Sequence, residues 1–212
     1  MTHELIDQRK VNLAAVTFAI QYYNFEAPLI QKFENPTNEH PRWMTLAKWA
    51  AHFAVARTLR GIGGSKNDHD THEESSERRR QTYAKIALIL DKQSDKQVDR
   101  AKRVSAVEAG LKAQLAINTR LKSAASKFLW LVDHGVVIYD SNVRSSLDAV
   151  DQDYEAFCER WQSQFAIMRE ALLLSIAELR KISHMFPSDW DIGRDTHEEW
   201  FLQRTFDQYH WA

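Results

Sequence analysis

Glycine and proline are scarce in this chain, at six and four residues of 212. Folds made of strands and tight turns use more of both, so the shortage argues against a β architecture and for packed helices. A single cysteine, Cys158, excludes an intrachain disulfide and fits a reducing compartment. No apolar run approaches the ~20 residues needed to span a bilayer. The opening residues, MTHELIDQRK, lack the apolar core of a signal peptide. Together these absences predict a cytoplasmic protein with no membrane partner.

What is present is ordinary in bulk and uneven in detail. Apolar residues make up 44% and charged residues 27%, the range of a globular domain with one sizeable core. The net charge of -1 conceals a segregation. From Arg78 to Lys127 there are thirteen basic and four acidic residues, a balance of +9, and the remainder holds fifteen against twenty-five, a balance of −10. A one-sided segment of this kind suits a polyanion such as DNA. Helix faces that simply present Lys and Arg to water have the same composition, and the sequence leaves both readings open.

Hydrophobic periodicity predicts an all-α fold in one domain, 1–212. Its parts are N-terminal helices (1–60), an exposed loop (61–77) and a helical core (78–212). Residues 5–24 carry an apolar helical stripe, and 42–60 form a second helix that Gly61 can cap. The stretch 61–77 has almost no apolar content and reads as a mobile loop. Helices follow at 79–91, 95–118 and 120–132. Val136 to Tyr139 is the one short extended piece. Asp140 is an N-cap for the next helix. Over 151–185, Tyr154, Phe157, Trp161, Phe165, Met168, Leu172, Ile176 and Leu179 recur at three- and four-residue steps, marking one long helix. A capped helix over 195–211 ends the chain.

Isolated chemical signals are weak. His69 and His72, among Asp68, Asp70, Glu73 and Glu74, look like metal ligands, but nothing near them supplies a scaffold, and a solvated charge run is the simpler reading. Cys158 has no histidine at useful spacing and reads as a structural thiol. His52 and His184 read as packing and capping residues. Asp189, Asp191, Asp195 and Glu198 read as capping carboxylates around a turn. No metal site or cofactor is expected.

The densest segment is Leu121–Leu147, LKSAASKFLWLVDHGVVIYDSNVRSSL. A lysine lies in an apolar helix, and thirteen residues later an aspartate stands at a helix N-terminus. The segment resembles the helix-hairpin-helix DNA glycosylase superfamily, in particular compact bacterial proteins with an 8-oxoguanine-glycosylase-like fold. Leu121 to Lys127 has the length of the L-P-G-x-G-x-K hairpin, with Lys122, Ser123 and Ala125 in place of its proline and glycines. Ile138 to Val143 resembles the segment that delivers the catalytic aspartate, and Phe206 to Trp211 resembles the tail of small proteins of this kind. The likeness covers roughly 95–212.

The resemblance implies a helix-hairpin-helix, glycosylase-like fold and base excision from DNA. Lys127 would attack C1′ of a flipped nucleotide and Asp140 would stabilise the positive charge on the sugar. Trp130 and Tyr139 would wall the base pocket, with Trp43 and Trp49 as further candidates. Ser141 and Arg144 would orient the aspartate or touch phosphate. Lys102, Arg103, Lys112, Arg120 and Lys122 would hold the DNA backbone, with the salt sensitivity that such contacts carry. The rival expectation is a non-enzymatic helical interaction module with a protein partner, such as an accessory subunit of a phage-defence system. In that case Lys127 is a surface lysine and Asp140 only a cap.

Overall fold

A computed structural model describes residues 6–55, 59, 72–93, 95–116 and 118–211. More than half of the chain is α-helical, and no strand occurs among the described residues. Val136 to Tyr139 is non-helical and carries no strand. The chain divides into two compact units: unit 1 comprises 1–24 and 140–212, and unit 2 comprises 25–139. The segment 78–212, expected to be one core, is therefore shared between them.

In unit 1 three helices supply the core. Helix α1 (Gln8–Gln21) starts where the Asp7 carboxylate accepts the amides of Arg9 and Lys10. It buries Val11, Ala14, Ala15, Phe18 and Ala19, and the small alanines let its neighbours approach closely. A π-helical turn, Tyr22–Glu26, follows.

The other unit 1 helices come from the second half of the chain. They are α7 (Ser141–Ser146), α8 (Tyr154–Lys181), the short α9 (Ile192–Asp195) and α10 (Glu199–Trp211). Asp153 caps α8 by accepting the Ala156 amide at 2.9 Å. The eight-residue stripe expected along this helix is buried throughout. Each such side chain contributes about 1.5–3 kcal/mol by leaving water. Phe18 meets Phe201 edge-on at 4.9 Å, and Trp161 meets Phe206 in the same way at 4.9 Å, locking α10 against α1 and α8.

Unit 2 contains α2 (Ala27–Glu34), α3 (Arg42–His52), α4 (His72–Asp91), α5 (Arg100–Leu115) and α6 (Lys122–Trp130). Helix α3 packs on α2 and α4, and α5 packs on α4 and α6. Asp99 caps α5 by accepting the Lys102 amide, and α5 ends on Ala116 in the left-handed region (φ 50). Arg42 on α3 pairs with Asp91 on α4 at 2.9 Å.

Two boundaries differ from the expectation. Helix α3 stops at His52 rather than near residue 60, and Ala54 turns left-handed (φ 55); Gly61, the expected cap, lies outside the described residues. Helix α4 begins at His72, so 72–77 is helix and not loop. Its HEESSE start has no apolar stripe to reveal it, yet glutamate is a competent helix former. Residues 61–71, with His69, lie outside the described residues.

Candidate functional site: a buried lysine in the basic unit

Helix α6 is almost wholly buried. Ala124, Ala125, Ser126, Phe128, Leu129 and Trp130 have 0–1% exposure, and Lys127 has 6%. Residues 122–127, which correspond to the hairpin pattern, are helical throughout. Lys127 is therefore no surface lysine. Its Nζ donates to the Phe53 carbonyl at 3.5 Å, and its own carbonyl accepts the Trp49 indole N–H at 2.9 Å. The Trp49 and Trp130 rings stack at 5.7 Å, His134 lies 4.6 Å from Trp130, and Phe53 packs on Trp49 at 4.7 Å. Trp49 and Trp130, expected as pocket walls, are fully buried and stack on each other. Trp43 lies at the start of α3 and is only half-buried. Tyr139 is also buried in unit 2, its amide donating to the Ser126 hydroxyl at 2.9 Å.

Two further groups lie near the end of α3. Glu26, the last residue of the π-helical turn, is fully buried, with its Oε1 3.7 Å from His52 Nε2. Phe25 stacks on the His52 ring at 5.5 Å. His52 directly precedes Phe53, whose carbonyl receives Lys127. The sequence marks His52 as a packing residue and singles out nothing at Glu26. The available signal was a carboxylate inside the apolar run YYNFEAPLI.

Asp140, Ser141 and Arg144 belong to unit 1. Asp140 is buried and caps α7, accepting the Asn142 amide at 2.9 Å, as the sequence predicts. It also lies close enough to Asp207 to affect that group's ionisation. Burial raises the Asp207 carboxyl to about 6; the Arg204 charge and the Trp161 and Arg204 hydrogen bonds oppose the rise, and Asp140 adds to it. Ser141 is exposed at the first turn of α7. Arg144 donates to the Val150 carbonyl at 2.9 Å.

The expected phosphate-binding residues separate into three groups. Lys102 and Arg120 are exposed and form no ion pair among the described residues. Lys112 and Lys122 both pair with Glu108 at 3.0 Å, and Lys122 also donates to Ser105. Burial alone would push the Glu108 carboxyl up, but the Leu121 amide and the two ammonium groups outweigh it and hold the group below the usual carboxylate range.

Arg103 corrects the expectation. It is 1% exposed, its guanidinium bonded to the Asp133 carboxylate and the Gln93 carbonyl, so no phosphate can reach it. Burial would likewise raise Asp133, yet Arg103, the Gly135 amide and Arg100 draw it down. A charge count cannot show this, because the partner carboxylate lies thirty residues further on.

The charge asymmetry follows the division of the fold. Unit 2 has nineteen basic and thirteen acidic residues, a balance of +6, and unit 1 has nine and sixteen, a balance of −7. Lys85, Lys92 and Lys96 join Lys102 and Arg120 as exposed unit 2 cations without an ion pair among the described residues. Also among the described residues, no group of three or more His, Cys, Asp or Glu is placed to hold a metal ion, and no helix is long and apolar enough to cross a membrane. No protein-family model, curated protein or solved structure matches the chain.

Proposed function

We propose that the chain binds DNA through unit 2 and uses Lys127 as the nucleophile of a glycosylase or lyase reaction. The observation that carries the reading is the exposed cationic side chains of α4, α5 and their link, in a unit with net positive charge. Such side chains release counterions from the DNA backbone on binding, whatever the base sequence. Burial of Lys127 in an apolar helix beside two stacked indoles supports the chemical part, because nucleophilic lysines work among apolar neighbours.

The test is a titration of labelled duplex and single-stranded oligonucleotides against salt. Binding is expected to weaken steeply as salt rises. The combined Lys85→Glu, Lys92→Glu and Lys102→Glu variant is expected to flatten the salt slope by about 2–3 log units per log unit of salt. No binding at low salt, or binding indifferent to salt, overturns the DNA reading. The second reading, a protein-interaction module, rests on Ile167, Leu173 and Leu174, which α8 leaves 44–55% exposed.

A further inference from the structure

Each unit carries one exposed patch that is apolar at its centre and charged around it, and the two charges are opposite. The patch of unit 1 lies where the chain passes from α8 to α9 through a 3-10 turn, Ser183–Met185. Met185 is 73% exposed, more than any other large apolar side chain among the described residues. The Trp190 ring stacks on Phe186 at 5.5 Å and on Tyr23 at 5.0 Å, and the Tyr23 hydroxyl donates to Asp195 Oδ2 at 3.0 Å. The aromatic base of this tip is therefore held in place. From Met185 to Glu199 there are five carboxylates and one basic residue, a balance of −4. Asp189 and Glu198 are exposed and form no ion pair among the described residues.

The patch of unit 2 lies on α4. From Arg78 to Lys92 there are five basic residues and one acidic residue, a balance of +4, and the acidic one, Asp91, is already paired with Arg42. Arg78, Lys85, Leu88 and Lys92 follow one another at steps of seven, three and four, which puts them on one helix face. All four are exposed, and Leu88, between the two lysines, is 61% exposed.

We propose that the chain associates head to tail with a second copy of itself, the Met185 tip of one copy seating on the α4 stripe of the next. Met185 packs on Leu88, and the carboxylates beside it face Lys85 and Lys92. The charges choose the pairing: tip against tip and stripe against stripe repel, and only the unlike combination attracts. The apolar centre supplies the burial, and Met and aromatic residues are the types that interface cores favour. The occupant is a second copy because this one chain carries both halves of the contact. The contact is heterologous, each copy offering a tip to one neighbour and a stripe to another, or both to the same neighbour. The inference goes beyond the DNA reading and does not depend on it.

The experiment is sedimentation velocity of the full chain, without nucleic acid, over a range of concentrations at low and high salt. The wild-type chain is expected to form dimers or larger species at low salt that dissociate as salt rises, because the charges involved are exposed. Met185→Asp is expected to weaken association by about 10-fold or more. The Lys85→Glu, Lys92→Glu variant loses the stripe, and the Asp189→Lys, Glu198→Lys variant loses the tip. Each alone is expected to sediment as a monomer. Mixed in equal amounts they are expected to pair, because the first keeps a native tip and the second a native stripe. A contact of like surfaces, such as one through Ile167 and Leu174 of α8, gives no such complementation. All the altered side chains are exposed, and unchanged circular dichroism separates lost association from lost fold. A wild-type chain that stays monomeric at low salt overturns the inference. So do association indifferent to salt, association that survives in either double variant, and a mixture of the two that remains monomeric. The oligonucleotide titration is read separately, so failure of either proposal leaves the other standing.

Discussion

The Trp161 indole N–H donates to Asp207 Oδ1 at 2.8 Å, while Arg204 holds the other carboxylate oxygen at 2.9 Å. These contacts favour the ionised Asp207, yet its complete burial prevails and the carboxyl titrates near 6. Asp140 contributes to the rise through its own negative charge. Asp140→Asn should therefore lower the Asp207 midpoint, measurable by carboxyl-carbon NMR. Asparagine caps helices as well as aspartate, so α7 should persist, whereas Asp140→Ala should cost about 1 kcal/mol. An unchanged Asp207 midpoint in Asp140→Asn would show that the two carboxylates do not sense each other. With its folded value above its unfolded one, Asp207 gives stability that is complete below about 4 and lost as pH rises through about 6.

His210 works in the opposite direction. Burial, then the nearby Lys10, depress its imidazole to about 4, and Nδ1 shares a hydrogen bond with the Ser146 hydroxyl. A depressed value means that stability from this residue is present above about 6.5 and lost as pH falls through about 4. Denaturant melts should show a loss of about 1–3 kcal/mol over that window, reduced by the solvent reaching the partly exposed ring. His210→Asn should flatten the window; melts whose acid limb is the same in both proteins would refute the assignment.

Arg103 and Lys102 are neighbours with opposite roles. Removing Arg103 leaves Asp133 without its main partner in a buried place, so Arg103→Ala should destabilise the fold by about 3–5 kcal/mol. Lys102→Ala should leave the melting temperature almost unchanged and weaken DNA binding slightly. A stable Arg103→Ala protein that has lost DNA affinity would reverse the roles assigned to the two residues.

Ala116 ends α5 with φ 50, in an exposed position. An alanine in the left-handed region carries strain of about 1–2 kcal/mol that glycine avoids. Glycine's greater freedom in the unfolded chain takes back part of that. Ala116→Gly should accordingly raise stability by up to ~1 kcal/mol, read as an upward shift in melting temperature. A downward shift would mean that the native helix end does not depend on this conformation.

The legible parts of the fold were those where burial repeats along one element. The stripe from Tyr154 to Leu179 announces α8 because eight apolar residues recur with the helix period, and Asp140 announces a helix start because a carboxylate before an apolar turn has one common use. Other features depend on residues far away in the chain. Nothing local to Arg103 indicates Asp133, and nothing local to Glu26 indicates His52. The early end of α3 was hidden because Phe53, Ala54 and Val55 continue an apolar pattern after the helix has stopped, and all helix termini are read less securely than helix centres. The helical start of α4 was hidden for the opposite reason, since a polar surface turn leaves no hydrophobic trace.

Unit 1 is made from the two ends of the chain, with 25–139 between them. This arrangement sets an order of events on the ribosome. Helix α1 leaves the exit tunnel well before its partners α8 and α10 are synthesised. Until they emerge the apolar face of Val11, Phe18 and Tyr22 has no permanent neighbour, while unit 2 is already complete in sequence. The nascent chain therefore passes through a period in which a finished helical unit is tethered to an unsatisfied amphipathic segment, the kind of surface that chaperones bind. Closing unit 1 has to wait until α10 has emerged.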